Sequence, residues 1–504
     1  MSESNPRYDL LVIGGGINGA GIARDAAGRG LKVLLVERGD LACATSSSSS
    51  KLIHGGLRYL EQFEFRLVAE ALAEREVLLR IARHLVWPVR FVMPHVPGLR
   101  PRWMIRAGLF LYDHLSRRTS LPGSHAVRLD APPYYAGLRP QFKHGFIYSD
   151  CRVDDARLVI INAMDARRRG AEILTRTECL SARREGDCWR ATLTGGREVR
   201  ARAIVNSAGP WVKLVLNERL GQPSREGVKL VKGSHIVLPQ IYPGDHAFIL
   251  QNDDRRVVFM IPYGERHTLV GTTDVPLEGD PGAAQASDAE AAYLCRAVGR
   301  YVAQPVDPAQ VAWSYAGVRP LYDDGTSDPS AITRDYTLCV DDASGAAPVL
   351  SIYGGKLTTY RRLAEHAMRK LAPYFPGLKG DWTATEPLIG GDFAGASREQ
   401  ARDGFFARYL RLPQEMLRGL FRRHGMLAYE VLGAARTVAD LGENFGAELY
   451  AREVDYLVQN EWARDAEDVL WRRTKAGLHL MPAQRESVAR YLGRILSDQT
   501  PTKS

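Results

Sequence analysis

The chain has 504 residues, more than one hydrophobic core supports, so we expect two or three domains. Lysine and arginine outnumber aspartate and glutamate by 67 to 58, which gives a net charge of +9. This charge suits anionic substrates or an anionic surface. No run of basic residues resembles a nucleic-acid-binding arm, so no nucleic-acid partner is expected. The six cysteines include no C-x-x-C pair, which argues against a zinc site and a disulfide framework and favours a reducing cytosol.

The sequence contains no signal for secretion or for membrane insertion. Residues 1–7 are polar and lack the apolar core of a signal peptide. No run of about 18 uncharged apolar residues occurs, so we predict no transmembrane helix. Any contact with a membrane is therefore expected to be peripheral.

A glycine-rich turn follows the first predicted strand. Residues 10–13 form a short apolar run, typical of a parallel strand covered on both faces. The next residues have the G-x-G-x-x-G spacing, which permits a tight turn, close approach of a pyrophosphate and close packing of a helix over 20–29. A strand over 32–36 ends at Glu37, where an acid that binds a ribose is expected. This context favours a dinucleotide site over a structural turn, and Glu37 disfavours NADP because its carboxylate would repel a 2′-phosphate.

Two segments of unusual composition come next. A run of serines, 46–50, usually indicates a flexible linker. Here it lies between Glu37 and a His-Gly-Gly turn, so we interpret it as a loop that faces the cofactor. A helix is predicted over 60–83. Residues 102–112 join large apolar residues to flanking arginines and form either an ordinary core helix or a helix at a membrane interface; the sequence leaves both open.

The rest of the chain changes its pattern several times. Strands are predicted over 171–175 and 203–206, the second followed by a small-residue turn, and a strand with a glycine turn recurs at 348–360. Short strands at regular spacing between 228 and 316 indicate an antiparallel sheet. From 397 the chain is mainly helical.

These patterns predict an α/β fold with a discontinuous, Rossmann-like nucleotide-binding domain. An antiparallel-sheet substrate domain is inserted into it, and an all-helical domain follows at the C-terminus. The expected ranges are 1–85, 145–227 and 330–385 for the nucleotide-binding domain, 86–144 and 228–329 for the substrate domain, and 397–504 for the helical domain.

Eight motifs follow one another along the chain: GGGINGAG, ATSSSSSKLIHGGLRYLE, VNSAGPWV, KGSHIV, GTTDV, YAGVRPL, ITRDY and GGKLTTYR. In this order they resemble the aerobic, FAD-dependent glycerol-3-phosphate dehydrogenases, and the similarity extends over almost the whole chain. The resemblance implies non-covalent FAD, oxidation of sn-glycerol 3-phosphate to dihydroxyacetone phosphate with the hydride passing to flavin N5, and a membrane quinone as electron acceptor. It also implies a cytoplasmic protein bound peripherally to the inner face of the cell membrane. A homodimer through the C-terminal domain is left open.

The resemblance also assigns roles to individual residues. His235 is the expected base, because an unperturbed imidazole titrates near neutrality, and a structural histidine is the alternative. Arg319 is expected to act beside it, since a phosphate dianion needs fixed positive charge. The residues expected to bind substrate are Arg58, Tyr59, Thr272, Arg319, Arg334 and Lys356. Those expected to bind FAD are Gly14, Gly16, Ile17, Asn18, Gly19, Glu37, Arg38, Thr45, Ser46, Ser47, Ser50, Leu52, His54, Gly55, Gly56, Ala208, Gly209, Gly355, Leu357 and Thr358. No metal ligands are expected.

Three alternatives are open at this point. A glycerol-phosphate oxidase would use oxygen instead of a quinone. An amino-acid oxidase shares this type of flavin fold, but it needs one arginine for a carboxylate and not several cations. A flavin-dependent protein that binds or modifies RNA is suggested only by the basic charge.

Overall fold

The computed structural model describes residues 7–116, 120–224, 226–254, 256–323, 335–342 and 345–498. The strands within these ranges are β1 (Arg7–Ile13), β2 (Val33–Val36), β3 (Leu52–Ile53), β4 (Val86–Pro94), β5 (His125–Arg128), β6 (His144–Val153), β7 (Glu172–Leu174), β8 (Cys179–Glu185), β9 (Cys188–Leu193), β10 (Glu198–Asn206), β11 (Val228–Pro239), β12 (Ala247–Gln251), β13 (Val257–Tyr263), β14 (His267–Gly271), β15 (Val275–Pro276), β16 (Trp313–Tyr322), β17 (Thr337–Asp341), β18 (Val349–Tyr353), β19 (Asn444–Gly446) and β20 (Leu449–Tyr450). The α-helices are α1 (Ile17–Gly28), α2 (Phe65–Ile81), α3 (Arg102–His114), α4 (Asp155–Arg168), α5 (Val212–Leu214), α6 (Asp288–Gly299), α7 (Tyr360–Leu371), α8 (Arg398–Arg408), α9 (Gln414–His424), α10 (Ala428–Leu432), α11 (Ala451–Asn460) and α12 (Pro482–Asp498).

The first sheet contains the strand before the glycine-rich turn. Its order is β17-β18-β10-β1-β2-β7, and β8 and β9 extend it beside β10. The pairs from β18 to β7 are parallel. Leu10, Leu11 and Val12 are completely buried, as expected for a strand covered on both faces. Three separated regions of the chain therefore share one sheet, and the predicted α/β fold is confirmed.

The second sheet has the order β15-β11-β14-β13-β12-β4-β6-β3, with β16 beside β11 and β5 beside β6. Among the described strands of this second sheet, only β12 and β4 pair in parallel, so the sheet is mixed where the sequence predicted an antiparallel one. β3 and nearly all of β6 fall in ranges that the sequence assigned to the nucleotide-binding domain. β6 is buried along almost its whole length, and an apolar run of this kind does not reveal which sheet it joins.

The C-terminal region continues the apolar core of the first sheet. Phe405 and Phe421 belong to the same cluster of buried side chains as Ile22 of α1. α4 lies between the two regions and is buried all round from Asp155 to Ala166, which is typical of a helix enclosed on every side. The region is helical as predicted, apart from a small hairpin formed by β19 and β20.

Buried ion pairs also join the C-terminal region to the rest of the fold. Arg157 of α4 donates to the Glu461 carboxylate at 2.9 Å. Asp40, in the loop after β2, accepts from Arg472 at 2.6 Å and from Arg473 at 2.8 Å. Burial of such pairs costs desolvation, but the loss of one partner leaves an uncompensated charge in the interior. Any other placement of the C-terminal region would break these pairs and leave buried charges uncompensated, so the pairs favour the observed arrangement.

α3 has one buried side and one exposed apolar side. Its buried residues are Ile105, Leu109 and Tyr112. On the opposite side Trp103 is 70% exposed and Phe110 is 56% exposed, and Met104 and Leu111 are also exposed at helical spacing. α3 thus has the buried apolar side expected of a core helix and the exposed apolar side expected of a helix at a membrane interface. None of the described helices has the length and apolar character needed to cross a membrane.

Candidate functional site

The glycine-rich turn joins β1 to α1 at the carboxyl edge of the first sheet. Gly14 has a φ of +111°, which side-chain-bearing residues rarely adopt. A Cβ on Gly19 would lie 1.9 Å from the Gly14 carbonyl oxygen, so only glycine lets α1 approach the turn this closely. Ser207, just after β10, donates to the Ile13 carbonyl at 2.8 Å and holds the next turn against this one.

Two further turns close around the start of α1. The Asn18 amide donates to the Gly354 carbonyl at 3.4 Å, and a Cβ on Gly355 would lie 2.9 Å from the same amide. After β10, Ala208 leads to Gly209, whose φ is +55° and whose missing side chain would point into open space. Three segments that the sequence predicted to share a cofactor therefore meet at one edge of the sheet.

Glu37 follows β2 and turns its carboxylate toward the glycine-rich turn. Its oxygens accept from the Gly15 amide at 2.6 Å and from the Gly39 amide at 2.8 Å. Burial raises the pKa of this carboxyl, whereas the two amide hydrogen bonds lower it. The neighbouring Arg38 guanidinium lies 4.2 Å from the centre of the Trp211 ring. The backbone thus orients the acid that was predicted to bind a ribose.

The serine loop is fixed by hydrogen bonds and is not a slack linker. Ser46 Oγ accepts from the Ile17 amide, at the first residue of α1, at 3.0 Å. The Thr45 hydroxyl donates to the Val318 carbonyl of β16 at 2.7 Å, and Ser47 closes back on the loop itself. The loop therefore lies against a helix N-terminus, whose N–H groups and partial positive charge favour a phosphate.

The His-Gly-Gly turn packs on the turn at Gly354 and Gly355, which we call the third glycine turn. The His54 amide donates to Thr358 Oγ1 at 3.2 Å. Gly56 has a φ of +78°, and a Cβ there would lie 2.3 Å from the Tyr59 ring. The other predicted cofactor residues of these two segments are Leu52, Gly55 and Leu357.

A cluster of charged groups lies next to these turns. Arg319 on β16 pairs with Asp274 and also donates to the Thr272 hydroxyl at 3.2 Å. Arg58 lies 3.8 Å from the second oxygen of Asp274. One carboxylate therefore holds two arginines that stand more than 250 positions apart in the sequence.

Tyr59 connects this cluster to the third glycine turn. It directly follows Arg58, and the Lys356 ammonium lies 4.0 Å from the centre of its ring. Contacts thus link all the residues expected to bind substrate except Arg334, which lies outside the described residues. Asp274 was missed, although it stands in the GTTDV motif; its role depends on the proximity of cations that are remote in sequence.

His235 lies on β11, with its ring stacked on Tyr315 at 4.9 Å between centroids and 15° between planes. Its Nε2 lies 2.9 Å from the Ser50 hydroxyl, and its Nδ1 is buried without a hydrogen-bond partner among the described residues. Burial, and then the charges of Arg319 and Lys51, hold the pKa of His235 well below 6.5. The imidazole is therefore neutral at pH 7 and has a ring nitrogen that can accept a proton.

Residues behind His235 fix its position, and the sequence did not reveal them. Tyr315 donates to the Ser49 carbonyl at 2.8 Å, and Lys51 donates to the Asp155 carboxylate at 2.9 Å. The available signal was Tyr315 itself, which opens the YAGVRPL motif and lies opposite His235 in the sheet register.

Comparison with known proteins identifies the class of enzyme. Residues 9–361 match the family described as FAD dependent oxidoreductase, and residues 382–499 match the C-terminal domain of alpha-glycerophosphate oxidase. The protein is therefore an FAD-dependent oxidoreductase.

Similarity to individual proteins identifies the family within this class of oxidoreductase. The aerobic glycerol-3-phosphate dehydrogenase of Escherichia coli is 52% identical over 489 residues, which cover 96% of this chain and 97% of that protein. The D-erythritol 1-phosphate dehydrogenase of Brucella abortus is 50% identical over 482 residues, 95% of this chain and 96% of that protein. The glycerol-3-phosphate dehydrogenase of Bacillus halodurans, solved with FAD, has a TM-score of 0.73 at 26% identity and covers 99% of this chain and 95% of its own. The chain belongs to the family of FAD-dependent glycerol-3-phosphate dehydrogenases.

The residues at the three turns fit FAD. The Asn18 side-chain oxygen is buried and has no hydrogen-bond partner in the described ranges, so it can accept from a ligand. A Cβ on Gly16 would meet only Ser46 Oγ, at 3.1 Å, which leaves the backbone open to a pyrophosphate at the α1 N-terminus. Glu37 would hold the adenosine ribose, and the turns at Gly209 and Gly355 would contact the cofactor from the other side.

Replacement of Gly19 by alanine is expected to abolish FAD binding. The new methyl group would overlap the Gly14 carbonyl and push α1 away from the turn. The matched control is Gly493→Ala in α12, where no atom lies within 4 Å of the new methyl group and alanine favours the helix. The ratio of flavin absorbance to protein after gel filtration measures the effect. Full FAD content in the Gly19 variant would contradict the close approach described above.

Proposed function

We propose that the protein oxidises the C2 hydroxyl of sn-glycerol 3-phosphate to the ketone of dihydroxyacetone phosphate and passes the electrons to a membrane quinone. The observation that carries this proposal is the position of Arg319, which acts on the neutral imidazole of His235 and shares the Asp274 carboxylate with Arg58. Bound FAD supplies the two-electron acceptor. The names of the relatives, which act on polyol phosphates, support the proposed substrate class.

The cations bind the phosphate group of the substrate. Arg58, Arg319 and Lys356 together exceed the charge of Asp274, which holds the two arginines in place. A guanidinium fork matches two phosphate oxygens, and charge-assisted hydrogen bonds of this kind are the strong ones. The hydroxyls of Tyr59 and Thr272 lie in the same cluster and can bind the hydroxyls of the polyol.

His235 accepts the proton of the C2 hydroxyl. Nε2, which lies 2.9 Å from the Ser50 hydroxyl of the loop that faces the cofactor, is the ring nitrogen that takes the proton, in the tautomer with hydrogen on the buried Nδ1. Stacking on Tyr315 fixes the plane of the ring. Removal of this proton makes the C2 carbon a better hydride donor, so the base and the flavin act on the same carbon.

Replacement of Arg319 by glutamine is expected to raise the KM for glycerol 3-phosphate about 10- to 100-fold, because a charged hydrogen bond to the phosphate is lost. The matched control is Arg300→Gln, which breaks an exposed ion pair with Asp253 on the same domain. Anaerobic bleaching of the flavin by glycerol 3-phosphate, erythritol phosphate and glycerol measures the effect. An unchanged KM would remove Arg319 from the phosphate site, and equal bleaching by glycerol would refute the phosphate requirement.

Replacement of His235 by asparagine is expected to slow flavin reduction about 10²- to 10⁴-fold while FAD stays bound. In the unmodified protein at substrate concentrations well below saturation, where the rate reports the pKa of the free enzyme, the reduction rate should stay constant from pH 7.5 through 6.5. It should fall only at lower pH, because the pKa of His235 is depressed and the proton blocks the base only below that value. Stopped-flow absorbance measures both rates. A decline centred at or above pH 6.5 would exclude His235 as the base.

Oxygen is the second candidate acceptor, favoured by the match of the C-terminal domain to alpha-glycerophosphate oxidase. With a soluble quinone analogue present in air, we expect quinone reduction to account for nearly all the substrate consumed. Hydrogen peroxide formed in equal amount to the substrate oxidised would establish the oxidase instead. The comparison needs one preparation, assayed with and without the quinone.

The exposed side of α3 is the proposed contact with the cytoplasmic face of the membrane. Trp103 and Phe110 combine apolar and aromatic surface, and Arg102 and Arg106 are exposed beside them. Aromatic and basic residues together suit the headgroup boundary of an anionic bilayer. Phe63, which is 78% exposed after the Leu57–Gln62 turn that α3 contacts, adds to this surface.

Replacement of Trp103 and Phe110 by serine is expected to abolish most sedimentation with vesicles that contain anionic lipid. The control removes equally exposed apolar side chains from the C-terminal region by Leu410→Ser and Met481→Ser. Flavin reduction by glycerol 3-phosphate should be the same in both variants, since α3 lies outside the proposed pocket. Equal sedimentation of the two variants would show that α3 does not contact the membrane.

A further inference from the structure

A second group of cations lies at the seam between the second sheet and the C-terminal helices. Arg152 on β6, Arg398 at the start of α8 and Arg422 in the last turn of α9 form what we call the arginine cluster. The Arg398 guanidinium lies 5.1 Å from the centre of the Trp87 ring, and Trp87 stands directly opposite Arg152 on β4. Arg152 donates to the Pro262 carbonyl of β13 at 3.2 Å.

The arginine cluster lacks a neutralising partner. Within the part of the chain that the structure describes, none of its members forms an ion pair with a carboxylate. Partial burial, and after it repulsion from neighbouring arginines, lowers the pKa of Arg152 and that of Arg398, the latter to about 10. The carboxylates that act on the arginine cluster from beyond ion-pair distance include Asp154, Asp245, Glu265, Glu399 and Glu448. Like charges held together in this way destabilise the fold unless an anion joins them.

Hydrogen-bond donors around the arginine cluster are also unsatisfied. The Trp87 indole N–H, the Arg152 Nε–H and the Tyr263 hydroxyl are shielded from solvent and have no partner among the described residues. His267, which lies opposite Tyr263 in the sheet register, has an unpartnered Nδ1 as well. Buried donors without an acceptor are rare in folded proteins. Trp87 pairs with Arg152 across the sheet, and Tyr263 follows Pro262, whose carbonyl accepts from Arg152, so these groups lie around the guanidinium of Arg152 and indicate a ligand that carries several oxygen atoms and negative charge.

We propose that the arginine cluster binds a phosphate-bearing anion at a site distinct from the substrate pocket. A phosphate dianion neutralises two of the three charges and offers oxygens to guanidinium forks on more than one side, whereas a single carboxylate neutralises only one charge. Arg422 is exposed and Arg398 is partly exposed, so the anion reaches the site from solvent. The source is either a free phosphate compound, which carries two charges, or a phospholipid headgroup, whose phosphodiester carries one; both offer phosphoryl oxygens to more than one guanidinium.

The test compares two double variants of the FAD-loaded protein. Arg398→Gln with Arg422→Gln removes two members of the arginine cluster. Arg402→Gln with Arg418→Gln removes the same charge from exposed positions on the same two helices, α8 and α9. The probe is inorganic phosphate against chloride at equal ionic strength, and the readout is the midpoint of thermal unfolding. Because phosphate also binds the substrate pocket, each variant is measured again with Arg319→Gln.

The expected result is that phosphate raises the unfolding midpoint of the control variant as it does in the unmodified protein. In the Arg319→Gln background, any remaining phosphate shift comes from sites other than the substrate pocket. We expect the cluster variant to lose this remaining shift, with phosphate binding weakened about tenfold or more. In chloride its midpoint should be unchanged or higher, since repulsion is relieved, whereas a purely structural role predicts a lower midpoint. Equal phosphate shifts in the two double variants would overturn the proposal.

Two further measurements complete the test. If the cluster variant fails to retain FAD, the single change Arg398→Lys keeps the charge but removes the fork, and it should bind phosphate more weakly than the unmodified protein. An unchanged phosphate shift in this variant would count against the site. Sedimentation with phosphatidylglycerol and with uncharged phosphatidylcholine vesicles identifies the source. A headgroup predicts loss of phosphatidylglycerol binding in the cluster variant, and a free phosphate compound predicts no change.

Discussion

The contact between α1 and the Gly14 carbonyl is the constraint from which the rest of the site follows. Because Gly19 has no side chain, the helix starts directly on the end of β1. This places its free amides at the edge where Ser207 and Gly354 bring in two other turns. The turn that begins at Gly354 places Thr358 against His54. The segment that starts at His54 also contains Arg58 and Tyr59 of the proposed substrate pocket. One close backbone approach thus determines where the two ends of a long cofactor are held.

The parts of this site that the sequence predicted are those with strict local requirements. A left-handed φ at Gly14 and a helix packed on a carbonyl at Gly19 exclude other residues, so the motif itself reports the structure. Asp274 and Tyr315 could not be assigned in this way, because their roles arise from contacts with segments far away in the chain. The sheet to which β6 belongs could not be predicted either. A strand buried on both faces has the same apolar composition whichever sheet it joins.

The substrate cations and the proposed base are electrically coupled. Burial, and after it the charges of Arg319 and Lys51, depress the pKa of His235, which keeps the imidazole neutral but also makes it a weak base. In the proposed function, a phosphate dianion bound at Arg319 would offset the charge of that arginine and raise the proton affinity of the ring. Binding of the proposed substrate would then strengthen the base that acts on it, and a polyol without a phosphate would lack this effect.

The ion pairs of Asp40 have a consequence for synthesis of the protein. Asp40 belongs to the loop after β2 and leaves the ribosome well before its partner Arg473, which is 433 positions later. At ordinary rates of translation this separation corresponds to about 20 to 90 s. During that interval the loop that orients Glu37 lacks its guanidinium partners, and the apolar face of α4 lacks its cover. The nascent nucleotide-binding half therefore exposes apolar and charged surface until the C-terminal helices emerge.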